Sequence, residues 1–183
     1  MKPIGKMSQA ELAAYVHQHL SDSGLYFVLS GGAAVGIYSN GEYVSSDIDF
    51  VNARFASRNK IEKSMKELGF SPIGRHFEHP DSDHIIEFPP GPLQFGDGMV
   101  QTTDEMRFET GMLRIISPTD CIKDRLAHYY HWGDRQCLKQ AVLVASKHKV
   151  NLVELQEWSK LEGKLEEFDN IMKGLKKKFG GKD

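Results

Sequence analysis

The apolar run at residues 25–29, Leu25-Tyr26-Phe27-Val28-Leu29, passes without a break into Ser30-Gly31-Gly32 and then Ala33-Ala34-Val35. A short, continuous, partly aromatic run suits a strand buried on both faces. The glycine pair that follows makes a tight turn that opens a short helix. Backbone N–H groups at such a turn approach a ligand closely, and a helix start adds partial positive charge, so phosphate is the natural guest. A plain tight turn explains the glycines equally well, and two familiar phosphate motifs are absent. No Gly-Lys-Ser/Thr follows, and residues 31–36, Gly-Gly-Ala-Ala-Val-Gly, lack the GxGxxG spacing.

The remaining pattern is strands in front and helices behind. Ser8-Gln9-Ala10-Glu11 is a capping box ahead of Leu12, Tyr15, Val16 and Leu20 at helical spacing, ended by Asp22-Ser23-Gly24. Ile48, Phe50 and Val51 mark a second strand. Ser57 caps a helix with Ile61, Met65 and Leu68 on one face, closed by Gly69. Residues 71–83, rich in His, Pro and Asp, read as a loop. Residues 84–88 form a third strand stopped by Pro89-Pro90, residues 91–97 a Gly/Pro loop, and residues 112–116 a further strand. Ser117-Pro118-Thr119-Asp120 starts a helix striped by Ile122, Leu126 and Tyr129. A break at Gly133-Asp134 precedes a helix carrying Leu138, Ala141, Val142 and Ala145, and Asn151 begins another. The expected fold is α/β (α+β): a small mixed sheet over residues 1–116 with a C-terminal helical extension, 117–183, packed on it.

Composition narrows the class. At 183 residues, with 17 Gly, 7 Pro and 2 Cys, the chain is neither collagen-like nor a disulfide scaffold. Cys121 and Cys137 have no CxxC spacing and read as reduced thiols. No apolar stretch is long enough for a membrane span, and Ser8, Gln9, Glu11, His17 and Gln18 interrupt any signal-peptide core, so a cytoplasmic protein is expected. The net charge of −2 excludes a strongly basic nucleic-acid coat. It is unevenly spread: 10 Lys and Arg stand against 15 Asp and Glu over residues 1–116, and 13 against 10 over 117–183. An acidic front half suits a site that collects divalent cations, although solvated acidic loops give the same sum.

Two further features bear on chemistry. In Ser46-Asp47-Ile48-Asp49-Phe50 the two aspartates, at i and i+2 of a strand, share one side while Ile48 and Phe50 face the core. Paired carboxylates on an apolar strand repel each other unless a cation neutralises them; the plain alternative is a strand edge meeting water. Glu87 is the one charge inside Ile85-Ile86-Glu87-Phe88, and a buried carboxylate needs a partner, either an arginine or a metal. Asp83 is a weaker candidate for the same role. His76, His79 and His84 with Asp81 and Asp83 match no compact metal motif and read as an exposed, substrate-facing loop. His128, Tyr129, Tyr130, His131 and Trp132 read as core packing, and the lysines at 173–182 as a solvated terminus rather than an RNA contact.

Glycine turn, DxD strand and later strand acid, in that order, resemble the minimal nucleotidyltransferases of the DNA polymerase β-like superfamily. That group includes antibiotic nucleotidyltransferases and bacterial toxin–antitoxin members. Residues 117–127, together with Asp134-Arg135-Gln136, are similar to the helical segment that follows the catalytic sheet in many bacterial members, so the resemblance spans roughly residues 25–145. It implies that Ser30, Gly31, Gly32 and Ser46 seat the phosphates of a nucleoside triphosphate, with ATP the expected substrate. It implies that Asp47 and Asp49 hold two Mg²⁺ ions, with Glu87 completing the second site. Lys123, Arg125 or Arg135 would reach the triphosphate. The implied reaction is in-line attack of a hydroxyl on the α-phosphorus with pyrophosphate leaving. Its acceptor would be a protein, a tRNA end or a small molecule, and a toxin or antitoxin chain a possible partner. Two rivals stand beside this reading: a catalytically silent module that binds nucleotide or RNA, and a phosphohydrolase using the same acids.

Overall fold

A computed structural model describes residues 2–96, 98–100 and 102–179. The Ser8 hydroxyl accepts from the Glu11 N–H and the Glu11 carboxylate accepts from the Ser8 N–H, so the capping box starts helix α1 (Gln9–Asp22). The apolar run then yields β1 (Val28–Ser30), and the glycines open α2 (Gly31–Tyr38) directly from its end. Only the last part of the run pairs, because Leu25 and Tyr26 approach the sheet as half-buried lead-in. Strand β2 (Asp47–Val51) and helix α3 (Arg58–Glu67) follow. Ser57 occupies the cap position of α3 but its hydroxyl makes no capping bond.

Residues 71–83 are not the loop expected from sequence. They contain a hairpin of β3 (Ser71–Ile73) and β4 (His76–Glu78), which pairs with β5 (Ile85–Glu87). The apolar signal fails there because β3 is exposed along its whole length and only Phe77 of β4 is buried. The Gly/Pro loop likewise contains a two-residue pairing of β6 (Gln94–Phe95) with β7 (Gly98–Met99). Strand β8 (Thr103–Phe108), an edge strand with only Met106 and Phe108 turned to the core, pairs with β9 (Gly111–Ile116). Polar edge strands show no apolar alternation strong enough to read.

The main sheet has the order β3-β4-β5-β2-β1-β9-β8. Its centre mixes directions: β2 is antiparallel to β1 and parallel to β5, and β9 is parallel to β1. Helix α1 is tied to β9 by the Gln18 side chain accepting from the Met112 N–H and by the His17 ring at 2.7 Å from the Met112 carbonyl.

Ser117 accepts from the Asp120 N–H and Pro118 occupies the first turn, starting α4 (Pro118–Trp132). Asp134 caps α5 (Arg135–Lys147), and Asn151 caps α6 (Leu152–Leu161); α7 (Leu165–Phe179) follows. The core runs without interruption from Leu12 and Ile48 through Ile122 and Leu126 to Leu155, Trp158 and Phe168. No helix among the described residues is long and apolar enough to cross a membrane. The lysine-rich tail from residue 176 lies outside the described side chains, and residues 180–183 lie outside the described chain.

The aromatic group on α4 divides. Tyr130 is buried, stacked on Trp158 with its hydroxyl 3.0 Å from Ser159 Oγ. Trp132 is 73% exposed, so the core-packing expectation does not hold for it. Its place at the end of the helix, just before the left-handed Gly133, turns it away from α6.

Candidate active site

Strand register assembles the site. Ser30 of β1 lies opposite Asp49 of β2, and Asp49 lies opposite Glu87 of β5. Directly paired residues share a sheet face, so Ser30, Asp49 and Glu87 form one row, with Asp47 two residues along the same face. The next strand adds His76, opposite Glu87. Sequence reasoning had placed His76 in a loop; its position in this row depends on pairing with β4, which no local pattern signals.

Gly31 is the close approach in this site. Its φ is +66°, and a Cβ there would fall 2.4 Å from Asp49 Oδ2. Only glycine adopts that backbone freely and leaves room for the carboxylate. At Gly32 a Cβ would meet Ser45 Oγ at 2.7 Å. The loop before β2 is held against α2 in this way, and Ser45 Oγ also accepts from the Asp47 N–H. Ser46 donates its hydroxyl to Asp47 Oδ1 at 2.7 Å, which orients that carboxylate rather than reaching the glycine turn.

Asp49 carries the electrostatic strain. Burial first, then the charges of Glu87, Asp47 and Asp124, push its carboxyl up to about 6, with Arg125 partly opposing them. Neither the Asp49 nor the Glu87 carboxylate makes a hydrogen bond or salt bridge among the described residues. The hard carboxylate oxygens of Asp47, Asp49 and Glu87 are of the donor type that suits Mg²⁺. As they stand, no three His, Cys, Asp or Glu side chains among the described residues converge closely enough to hold an ion.

Asp124 is the residue that sequence reasoning missed. Its Oδ2 accepts from the Gly31 N–H at 3.2 Å and from Arg125 Nη2 at 2.6 Å. Its signal lay in three consecutive charges, Lys123-Asp124-Arg125, between the inward-facing Ile122 and Leu126: one full helical arc cannot be charged and still avoid the core. Arg125 is buried, and its Nη1 lies 3.4 Å from Gln140 Oε1 and 3.6 Å from Cys137 Sγ. The structure therefore brings Arg125 to the glycine turn through Asp124, already engaged. It does not bring Lys123 there. Lys123 is tied to Asp120 at 3.1 Å and Glu154 at 2.5 Å, because its position on α4 points toward α6. Arg135, at the exposed start of α5, is likewise not part of the acidic row.

No protein-family model matches the chain, and no curated protein sequence matches it. Solved structures do. A nucleotidyltransferase-like antigenic protein from Paracoccidioides brasiliensis is 14% identical with a TM-score of 0.62, covering 98% of this chain and 92% of that one. The antibiotic-resistance factor ANT(2'')-Ia is 13% identical with a TM-score of 0.52, covering 92% of this chain and 95% of that one. At such identities the likeness is one of fold: the mixed α/β architecture described above is shared with nucleotidyltransferase structures.

Proposed function

We propose that the protein is a Mg²⁺-dependent nucleotidyltransferase that moves a nucleoside monophosphate from a nucleoside triphosphate, ATP first, to a hydroxyl acceptor. The observation that carries this reading is the row Ser30–Asp49–Glu87 beside the Gly31 turn, with the Asp49 carboxyl pushed up by burial and by the neighbouring carboxylates. The N–H groups at the start of α2 would seat the β- and γ-phosphates. Asp47, Asp49 and Glu87 would hold Mg²⁺, which when bound neutralises phosphate charge and polarises the α-phosphorus. The acceptor oxygen forms its bond to that phosphorus as the bond to the bridging oxygen breaks and pyrophosphate leaves. The hydroxyl proton would pass to a carboxylate of the row, Glu87 in this reading. The protein's work is alignment and charge compensation.

The acceptor belongs to this proposal too: a protein side chain, a tRNA end or a small molecule. The fold shared with an antibiotic-resistance factor makes a small-molecule hydroxyl the first to try. A cytoplasmic setting and a toxin or antitoxin partner chain complete the reading. The alternative is the catalytically silent module; in either reading a phosphate at the Gly31 N–H has to displace the Asp124 carboxylate that now accepts from it.

Incubation with each α-labelled nucleoside triphosphate and Mg²⁺ tests the two. Pyrophosphate release with label transferred to an acceptor, lost in Asp47→Asn/Asp49→Asn, supports the transferase. Nucleotide binding without any product supports the module, and orthophosphate without transferred label indicates a hydrolase.

A further inference from the structure

A continuous line of side chains leads away from the glycine turn along one face of α4. Asp124 Oδ2 touches the Gly31 N–H at 3.2 Å. Asp124 Oδ1 lies 3.7 Å from His128 Nδ1, and that nitrogen is held 2.9 Å from the Asp124 carbonyl. The His128 ring is 5.2 Å from the Trp132 ring, centroid to centroid, tilted by 43°. The His131 ring meets the same indole edge-on at 6.0 Å. Burial falls steadily along this line: the Asp124 side chain is 10% exposed, that of His128 45%, and Trp132 73%.

One exposed tryptophan is ordinary on a soluble surface. An exposed tryptophan braced by two imidazoles, at the end of a contact chain that starts on a helix N-terminal amide, is a shelf with a fixed distance from that amide. Asp124 and Trp132 are eight residues apart, about 12 Å along a helix. That is the span from the phosphates to the base of an extended nucleoside triphosphate.

We propose that Trp132, steadied by His128, is the platform on which the base of the bound nucleotide stacks. The inference rests on the nucleotide-binding reading of the glycine turn and adds the base subsite to it. Every base has a π-face, so the shelf accepts all four and favours the larger purines. The His128 ring, held 2.9 Å from the Asp124 carbonyl, lies beneath this shelf at 5.2 Å from the indole.

The chain contains two tryptophans, and Trp158 is buried with its Nε1 donating to the Phe95 carbonyl at 3.0 Å. Fluorescence quenching on binding therefore reports Trp132. Binding of Mg²⁺-ATP and of Mg²⁺-tripolyphosphate is measured by calorimetry on the full chain, alongside the fluorescence, for the wild type, Trp132→Phe and Trp132→Ala. Because Trp132 is exposed, circular dichroism should show all three equally folded. The expected result is that Trp132→Ala weakens ATP about tenfold or more while tripolyphosphate is unchanged. Trp132→Phe should keep most of the affinity and lose the quench. Equal ATP affinity in the wild type and Trp132→Ala overturns the shelf and leaves the nucleotide reading standing. A weaker acceptor KM in Trp132→Ala at unchanged ATP affinity overturns it as well. A wild type that binds neither tripolyphosphate nor ATP overturns both.

Discussion

Asp49 shows at the scale of one residue how a row of neighbouring carboxylates costs stability. In the unfolded chain its carboxyl titrates near 3.8, and in the fold it is pushed up to about 6. Between those values the folded state holds more proton, so stability falls as pH rises from about 4 to about 6, and the full penalty persists above that. Asp49→Asn should therefore raise the unfolding midpoint at pH 8 by several degrees, on the order of 2–3 kcal/mol, and the gain should vanish below about pH 4. Thermal scans across pH read this directly; an Asn variant no more stable than the wild type at pH 8 contradicts it. The same titration predicts that Mg²⁺ affinity of the metal-free protein weakens as pH is lowered through about 6, read by calorimetry, because a protonated Asp49 is a poor ligand. Arg125 behaves in the opposite sense. Arg125→Ala leaves the Asp124 carboxylate buried and unpaired, and should cost about 3–5 kcal/mol by denaturant titration at neutral pH.

At the scale of elements, the junction of β1 and α2 is the most demanding. Gly31→Ala meets both a left-handed φ and the Asp49 carboxylate, and should cost on the order of 1–3 kcal/mol while removing phosphate binding. Loss of tripolyphosphate affinity by calorimetry checks the second part. Ser117→Ala removes the capping bond from the Asp120 N–H and the hydroxyl's bond to Asp120 Oδ2, and should cost about 1 kcal/mol with binding intact. Helix starts such as Ser8 and Ser117 were legible because the capping hydroxyl and the residue whose N–H donates to it sit three residues apart in the sequence. Strands β3, β4 and β8 were not, because their pairing faces are polar or exposed and only their neighbours in the sheet make them strands.

Across the whole molecule, the helices are bound to the sheet by groups from both halves. The Tyr38 hydroxyl donates to the Ile116 carbonyl at 2.7 Å, His148 Nε2 lies 2.7 Å from the Tyr38 carbonyl, and Asp124 reaches Gly31. With one continuous core beneath these contacts, the chain should unfold in a single transition. A fragment of residues 1–116 should give no cooperative melt by calorimetry. Two transitions in the full chain, or a sharp melt of the fragment, would show separable units.

The local half of the site was readable in the chain itself. Alternation along residues 46–50 sets Asp47 and Asp49 on one side, and the apolar setting of Glu87 demands a partner for its charge, because both are matters of period and burial along a few residues. Which acids would meet was decided only by the fold. Parallel pairing of β2 with β5 sets Glu87 beside Asp49 across 38 residues of chain, and packing of α4 on α2 delivers Asp124 to Gly31 while turning Lys123 toward α6. Such contacts depend on strand register and helix rotation, and these are chosen by the packing of the whole core.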